Sequence, residues 1–133
     1  MSSTVLVESF LRLINLYVYS ESNPANYGTD TMLTRSEIHT IEAIGNHPSV
    51  NVTELAVILG KSKSAVSQML TRLKAKNVVI QIKLTETGRD TSINLTEQGL
   101  TAYRAHAAGH SHLYSSLDDI LNSLDDVTKM NAT

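Results

Sequence analysis

The sequence has no cysteine and no tryptophan, and only two prolines and one phenylalanine among its 133 residues. Without cysteine there are no disulfides, no thiolate ligands and no thiol to oxidise, so any metal has to be held by histidine and carboxylate. No apolar run reaches the roughly 18–20 residues of a membrane span. The longest candidate, Leu11 to Tyr19, is interrupted by Asn15 and closed by Ser20, Glu21 and Ser22. The N-terminus lacks the ordered basic, apolar and cleavage regions of a secretory signal, so a cytoplasmic protein is expected. Catalytic signatures are missing as well. The His106-Ala-Ala-Gly-His110 segment lacks the glutamate of an H-E-x-x-H site, there is no G-x-S-x-G elbow, and Gly60-Lys61-Ser62 is not preceded by the Walker glycine spacing. No enzyme is expected.

Charge is unevenly placed. Seven of the eleven Lys and Arg residues fall between Lys61 and Arg89, where Glu86 is the only acid; that stretch carries +6 while the rest of the chain carries −8. A net charge of −2 argues against indiscriminate coating of nucleic acid, but one basic face on an acidic protein suits a polyanion.

The hydrophobic pattern predicts a mainly α chain with a small β wing. Val5 to Tyr19 is apolar around nearly its whole circumference, so as a helix it needs covering on several sides, which in a small protein points to a partner chain. Ser20 to Asp30, punctuated by Pro24 and Gly28, reads as a loop long enough to bind a ligand. Thr34-Arg-Ser-Glu37 is a capping box opening a helix with Ile38, Ile41 and Ile44 at core spacing. After a very short strand at Val50 and Val52, Thr53 to Leu59 forms a helix closed by Gly60. Ser62 or Ser64 caps the next helix, which runs to about Lys76.

On that helix Val66, Met69, Leu70 and Leu73 form one inward stripe and turn Ser67, Gln68, Thr71 and Arg72 to solvent, with Lys63 and Ser64 at its start. Two short helices around a tight turn, the second polar outside, make a helix-turn-helix. Val78 to Leu84 and Ser92 to Leu95 pair around a basic tip as a wing. Thr96 to about Asn122 forms a long helix with an inward stripe from Leu100 through Tyr103, His106, His110, Leu113 and Leu117 to Leu121, weakened at Gly99 and Gly109, and Asp125 to Thr133 frays. Gln68 and Arg72 have the donors and acceptors to read base edges, whereas Lys61, Lys63, Ser64 and Ser67 suit phosphates, with Lys83 and Arg89 on the wing.

In this order the chain resembles the MarR family of dimeric winged-helix repressors. The resemblance rests on Leu33-Thr34, Thr53-Glu-Leu-Ala56, Leu59, Ser62, Ser64-Ala-Val-Ser67, Leu73-Lys-Ala-Lys76, Gly88-Arg89 and Leu95-Thr96-Glu97-Gln98-Gly99, and it spans roughly Val5 to Leu121. It implies a single domain over residues 1–133: an N-terminal dimerisation helix and loop (1–33), a winged-helix lobe (34–95) and a C-terminal dimerisation helix (96–133). It further implies a homodimer on a pseudo-palindromic DNA operator, with the second motif helix in the major groove and the wing towards the minor groove. Two departures stand out. The sequence stops after Lys129-Met-Asn-Ala-Thr133, short of a further C-terminal helix usual in the family, so either the chain is a fragment or the dimer is built with less; and the wing tip lacks the family's dense arginines.

His106 and His110 stand at i and i+4, a spacing at which both imidazoles reach one ion at about 2.0–2.1 Å. The zinc-sensing branch of the family, which the chain resembles here, completes such a site with a histidine early in the second helix and a glutamate before it. Alignment puts His39 and Glu21 in those places, so the resemblance implies a Zn²⁺ site of Glu21, His39, His106 and His110, with His47 and His112 outside it. The branch's second metal site maps onto Tyr27, Ile38 and Ala105, which cannot form it. The plain alternative is that these histidines sit on helix surfaces without a metal. Most family members instead bind small aromatic or lipophilic ligands in a dimer crevice, which Tyr17, Tyr19, Tyr27 and Tyr103 would line. A winged-helix protein-interaction module is a third reading, although it gives no reason for the basic cluster.

Overall fold

A computed structural model describes residues 3–87 and 90–131, with side chains for all of these except residues 20–22, 124 and 127–131. The elements run α1 (Ser3–Ser22), α2 (Arg35–Asn46), α3 (Val52–Leu59), α4 (Lys63–Ala75), β1 (Val79–Lys83), β2 (Thr91–Leu95) and α5 (Glu97–Asn131). They divide into two compact units: Pro24–His106, and α1 with the part of α5 from Ala107 onward.

Within Pro24–His106, local chemistry sets each helix end. The capping box forms as predicted: the Thr34 hydroxyl accepts from the Glu37 amide at 3.2 Å while Glu37 Oε1 accepts from the Thr34 amide. Asn51 accepts from the Glu54 amide at 2.8 Å and so starts α3 at Val52, one residue earlier than expected. Val52 is therefore helical rather than extended. Val50 alone keeps strand character, its carbonyl accepting from Ile93 N–H at 2.8 Å. Gly60 ends α3 with φ at 63°, in the left-handed region that favours glycine. Ser62, extended and one residue ahead of α4, is its cap; its hydroxyl accepts from the Ala65 amide at 3.1 Å.

β1 and β2 pair antiparallel from Val79 opposite Leu95 to Lys83 opposite Thr91. The core of this unit gathers Leu33, Ile38, Ile41, Leu55, Val66, Leu70, Leu73, Val78 and Ile93, all essentially without solvent exposure. α5 begins where the Thr96 hydroxyl accepts from the Gly99 amide and donates to the Asn77 carbonyl at 2.7 Å. A Cβ on Gly99 would collide with the Val78 carbonyl, so the glycine is there for close approach rather than as a weak point in the helix.

Two ends differ from the sequence-based expectation. α1 runs past Tyr19 to Ser22, and the loop begins only at Asn23, whose side chain donates to the Tyr19 carbonyl. Nothing in Ser20-Glu-Ser22 opposes helix, whereas Pro24 disfavours it at the residue before. α5 runs on to Asn131 instead of fraying from Asp125, since no proline or glycine follows Gly109. The inward stripe on α5 also shifts at its far end: Leu121 is exposed and Ile120 takes its place beside Leu6, Leu13 and Leu16 of α1, around a cleft of about 380 Å³. Along α1, Val7, Phe10, Leu11, Leu16, Val18 and Tyr19 are exposed within the single chain.

Candidate nucleic-acid interface and metal cluster

α4 divides into two faces. Val66, Met69, Leu70 and Leu73 are buried against the core, and Lys63, Ser64, Ser67, Gln68, Thr71 and Arg72 are all exposed, with Lys61 exposed just before the cap. The amphipathic period thus presents hydroxyl, amide, ammonium and guanidinium groups on one continuous surface. Arg72 lies back on its own helix, its Nη2 at 3.6 Å from Met69 Sδ, and the Thr71 hydroxyl is tied to the Ser67 carbonyl at 3.0 Å.

The cluster of cations is not all available to a ligand. Lys76, the C-cap of α4, donates to the Met32 carbonyl at 2.7 Å and forms an ion pair with Glu37 at 2.8 Å, a carboxylate only 4% exposed. Its charge is spent within the fold. Lys74 donates to Gln81 Oε1 at 2.6 Å, and Gln81 Nε2 donates to the Thr91 hydroxyl at 3.0 Å.

On the wing, Lys83 closes β1 and is exposed. Arg89 lies outside the described residues. Ile80 and Ile82 of β1, and Leu84 just beyond it, are all exposed, where a polyanion-binding wing would be expected to carry cations.

The histidines divide between the two units. His39 and Glu42 of α2 and His106 of α5 offer ligand atoms all within 4.8 Å of one another. His106 is 5% exposed, its Nδ1 stands 3.5 Å from Glu42 Oε2, its ring lies 5.8 Å from that of His39, and Tyr27 meets it edge-on at 5.8 Å. Two imidazoles and one carboxylate are the donor set of many three-ligand zinc sites, in which a fourth position is left open. The residues fit such an ion in type and proximity.

His110 belongs to the other unit, where it lines an apolar cleft of about 340 Å³ with Leu13, Ile14, Tyr17 and Tyr114. Glu21 falls in the last turn of α1 rather than in a loop, and its side chain lies outside the described residues. Glu42 is missing from the sequence-based set. The signal was present in the His39-x-x-Glu42 spacing, which puts both side chains on one face of a helix.

Tyr27 packs on His106 and Tyr103 donates its hydroxyl to Asn46 Oδ1, while Tyr17 and Tyr19 are on α1 in the other unit.

Comparison with known proteins agrees with this layout. Residues 33–90 match the model of the MarR family. Over 84 residues, 63% of this chain, the sequence is 26% identical to the uncharacterized HTH-type transcriptional regulator YhjH of Bacillus subtilis (strain 168); the chain spans about half the length of that relative, 48%. Its fold is similar to that of Streptococcus pneumoniae FabT, solved in complex with DNA, with a TM-score of 0.69, 19% identity and coverage of 98% of this chain and 96% of FabT. It is similar also to Lactococcus lactis ZitR, a zinc-responsive MarR family member, with a TM-score of 0.63, 19% identity and coverage of 92% and 85%. The winged-helix lobe of the chain thus matches the MarR family model, and the fold is similar to that of these proteins.

Proposed function

We propose that this protein is a sequence-specific DNA-binding transcriptional regulator, acting in the cytoplasm as a homodimer and most simply as a repressor. The observation that carries the reading is α4, whose buried stripe fixes it to the core while Lys63, Ser64, Ser67, Gln68 and Arg72 face outward together. In a helix-turn-helix this is the surface that enters the major groove, Gln68 and Arg72 reaching base edges and the lysines and serines reaching phosphates. The exposed apolar length of α1 supports pairing of two chains through the terminal helices, residues 1–33 and 96–133, around lobes formed by residues 34–95. A twofold dimer then reads a pseudo-palindrome with half-sites about one helical turn apart. Its role is binding without a catalytic step. Enrichment of duplexes from a randomised library tests this directly: a recovered palindromic consensus is expected, and recovery of no sequence above background overturns it.

A second element of the reading concerns the effector. His39, Glu42 and His106 support a zinc site within the winged-helix unit, with Glu21 and His110 as further donors in the set that the resemblance implies. In that role α2 supplies two donors and α5 one, and the ion supplies a cross-link between helices that the Glu42–His106 pair already joins at 3.5 Å. Such a cross-link regulates DNA binding only as far as the DNA-competent and incompetent arrangements hold the ion differently.

A further inference from the structure

The face of β1 turned towards α4 changes character along its length. Alternate residues of a strand share a face, and here Val79 is buried, Gln81 half-buried and Lys83 exposed, so a core surface becomes polar and then cationic towards the tip. Directly opposite residues share that face too, which places Thr91 beside Lys83 and the buried Ile93 beside Gln81. The last turn of α4 brings Lys74 to the same place. Lys74, Val79, Ile80, Gln81, Lys83 and Thr91 line an open groove of about 490 Å³, with one ammonium group from α4, one from β1 and no carboxylate among these residues.

Gln81 connects the parts of this groove. Lys74 has only protons to give, so the Gln81 oxygen must face it, at 2.6 Å; the amide nitrogen then points to Thr91, to which it donates at 3.0 Å. One side chain thereby ties α4 to both strands of the wing and holds the Lys74 ammonium at the groove. The ammonium keeps two further protons for an incoming acceptor.

We infer that this groove is a backbone-phosphate slot, in which Lys74 and Lys83 take a phosphodiester of duplex DNA between the second motif helix and the wing, and Gln81 is the residue that positions Lys74. The inference rests on the DNA-binding reading above. It also accounts for how a wing that exposes Ile82 and Leu84 engages a polyanion: through the groove beside α4.

The test is the salt dependence of binding to a random-sequence 30-base-pair duplex, followed by fluorescence anisotropy, with thermal midpoints confirming that each variant is folded. Each phosphate contact contributes about 0.9 to the slope of log K against log salt. Lys74→Ala and Lys83→Ala are each expected to lower the slope by about one and weaken binding about five- to tenfold near 0.1 M salt. Gln81→Met removes the acceptor for Lys74 without adding a charge, and is expected to lower the slope in the native background and to have no further effect in the Lys74→Ala background. A Gln81 that does not position Lys74 would leave the slope at the native value on becoming Met. Lys61→Ala serves as the reference for DNA binding itself. If the native protein binds and Lys61→Ala lowers the slope, but the Lys74, Lys83 and Gln81 variants match the native protein, the slot is overturned and the DNA-binding reading stands. Absence of binding by the folded native protein overturns both.

Discussion

The ammonium of Lys76 sits 2.8 Å from the buried carboxylate of Glu37, joining the end of α4 to the first turn of α2 across 39 residues of sequence. Glu37 also closes the capping box on Thr34, so a single carboxylate serves a helix start and an interhelical pair. This makes Lys76 a structural cation inside a cluster in which Lys61, Lys63, Arg72, Lys74 and Lys83 are exposed. Lys76→Ala leaves Glu37 buried without its counter-charge and is expected to destabilise the fold by about 1–3 kcal/mol, because a deprived buried group bears its desolvation unaided. Urea unfolding reads the loss as a lower midpoint, while the salt slope of DNA binding stays at the native value.

Arg72 and the lysines before it are expected to behave differently from Lys76 and from each other. Arg72→Ala should weaken binding to the selected duplex by about 1–3 kcal/mol and relax preference at one position of the site. Lys61→Ala and Lys63→Ala should weaken selected and random duplexes alike and each lower the salt slope by about one. Equal losses on selected and random DNA for Arg72→Ala would remove it from base readout.

Gly99 and Gly109 both lie in α5, and helix propensity alone predicts that alanine at either stabilises by about 1 kcal/mol. Space separates them. A Cβ at Gly99 meets the Val78 carbonyl, a backbone atom that cannot rotate away, whereas nothing lies within 4 Å of a Cβ at Gly109. Gly99→Ala is expected to lower stability by about 1–3 kcal/mol and Gly109→Ala to raise it, in thermal unfolding of the two variants side by side.

Metal binding is measured on protein stripped with chelator, by calorimetric titration with Zn²⁺. About one ion per chain is expected, and His39→Ala, Glu42→Ala and His106→Ala should each weaken binding at least tenfold, since each removes one of three neighbouring donors. Including His110→Ala decides whether the next turn of α5 adds a donor. Native affinity in the Glu42→Ala variant would rule out the cluster as the site.

The apolar surface of α1 gives the last prediction. Phe10 is 57% exposed and Leu16 59% in the single chain, more apolar surface than a lone helix keeps in water. Light scattering should give the mass of a dimer for the native protein and a shift towards monomer for Phe10→Glu and Leu16→Glu.

Much of the winged helix is written in residues close together in the chain. Thr34 with Glu37, Gly60 and the Val66, Met69, Leu70, Leu73 stripe mark their elements because caps and helical faces depend on neighbours within about four positions. The outward face of α4 follows from its inward stripe, so its candidate DNA contacts are legible in the sequence as well. Where local signals compete, the outcome is less legible: Asn51 draws Val52 into α3, and α1 outlasts Tyr19 because nothing before Pro24 stops it.

Partnerships between distant side chains belong to the tertiary structure. Charge counting treats Lys76 and Lys63 alike, yet packing of α2 against the end of α4 gives one of them a buried carboxylate and leaves the other in solvent. The approach of α5 to α2 likewise sets Glu42 rather than another acid beside His106, and the approach of α4 to the wing lays Gln81 between Lys74 and Thr91. The sequence by itself determined the helices, the wing and the basic face, since these need only the short-range geometry of the backbone. Which cations remain for DNA, and which carboxylate stands with the histidines, was decided only when the core brought residues tens of positions apart into hydrogen-bonding distance.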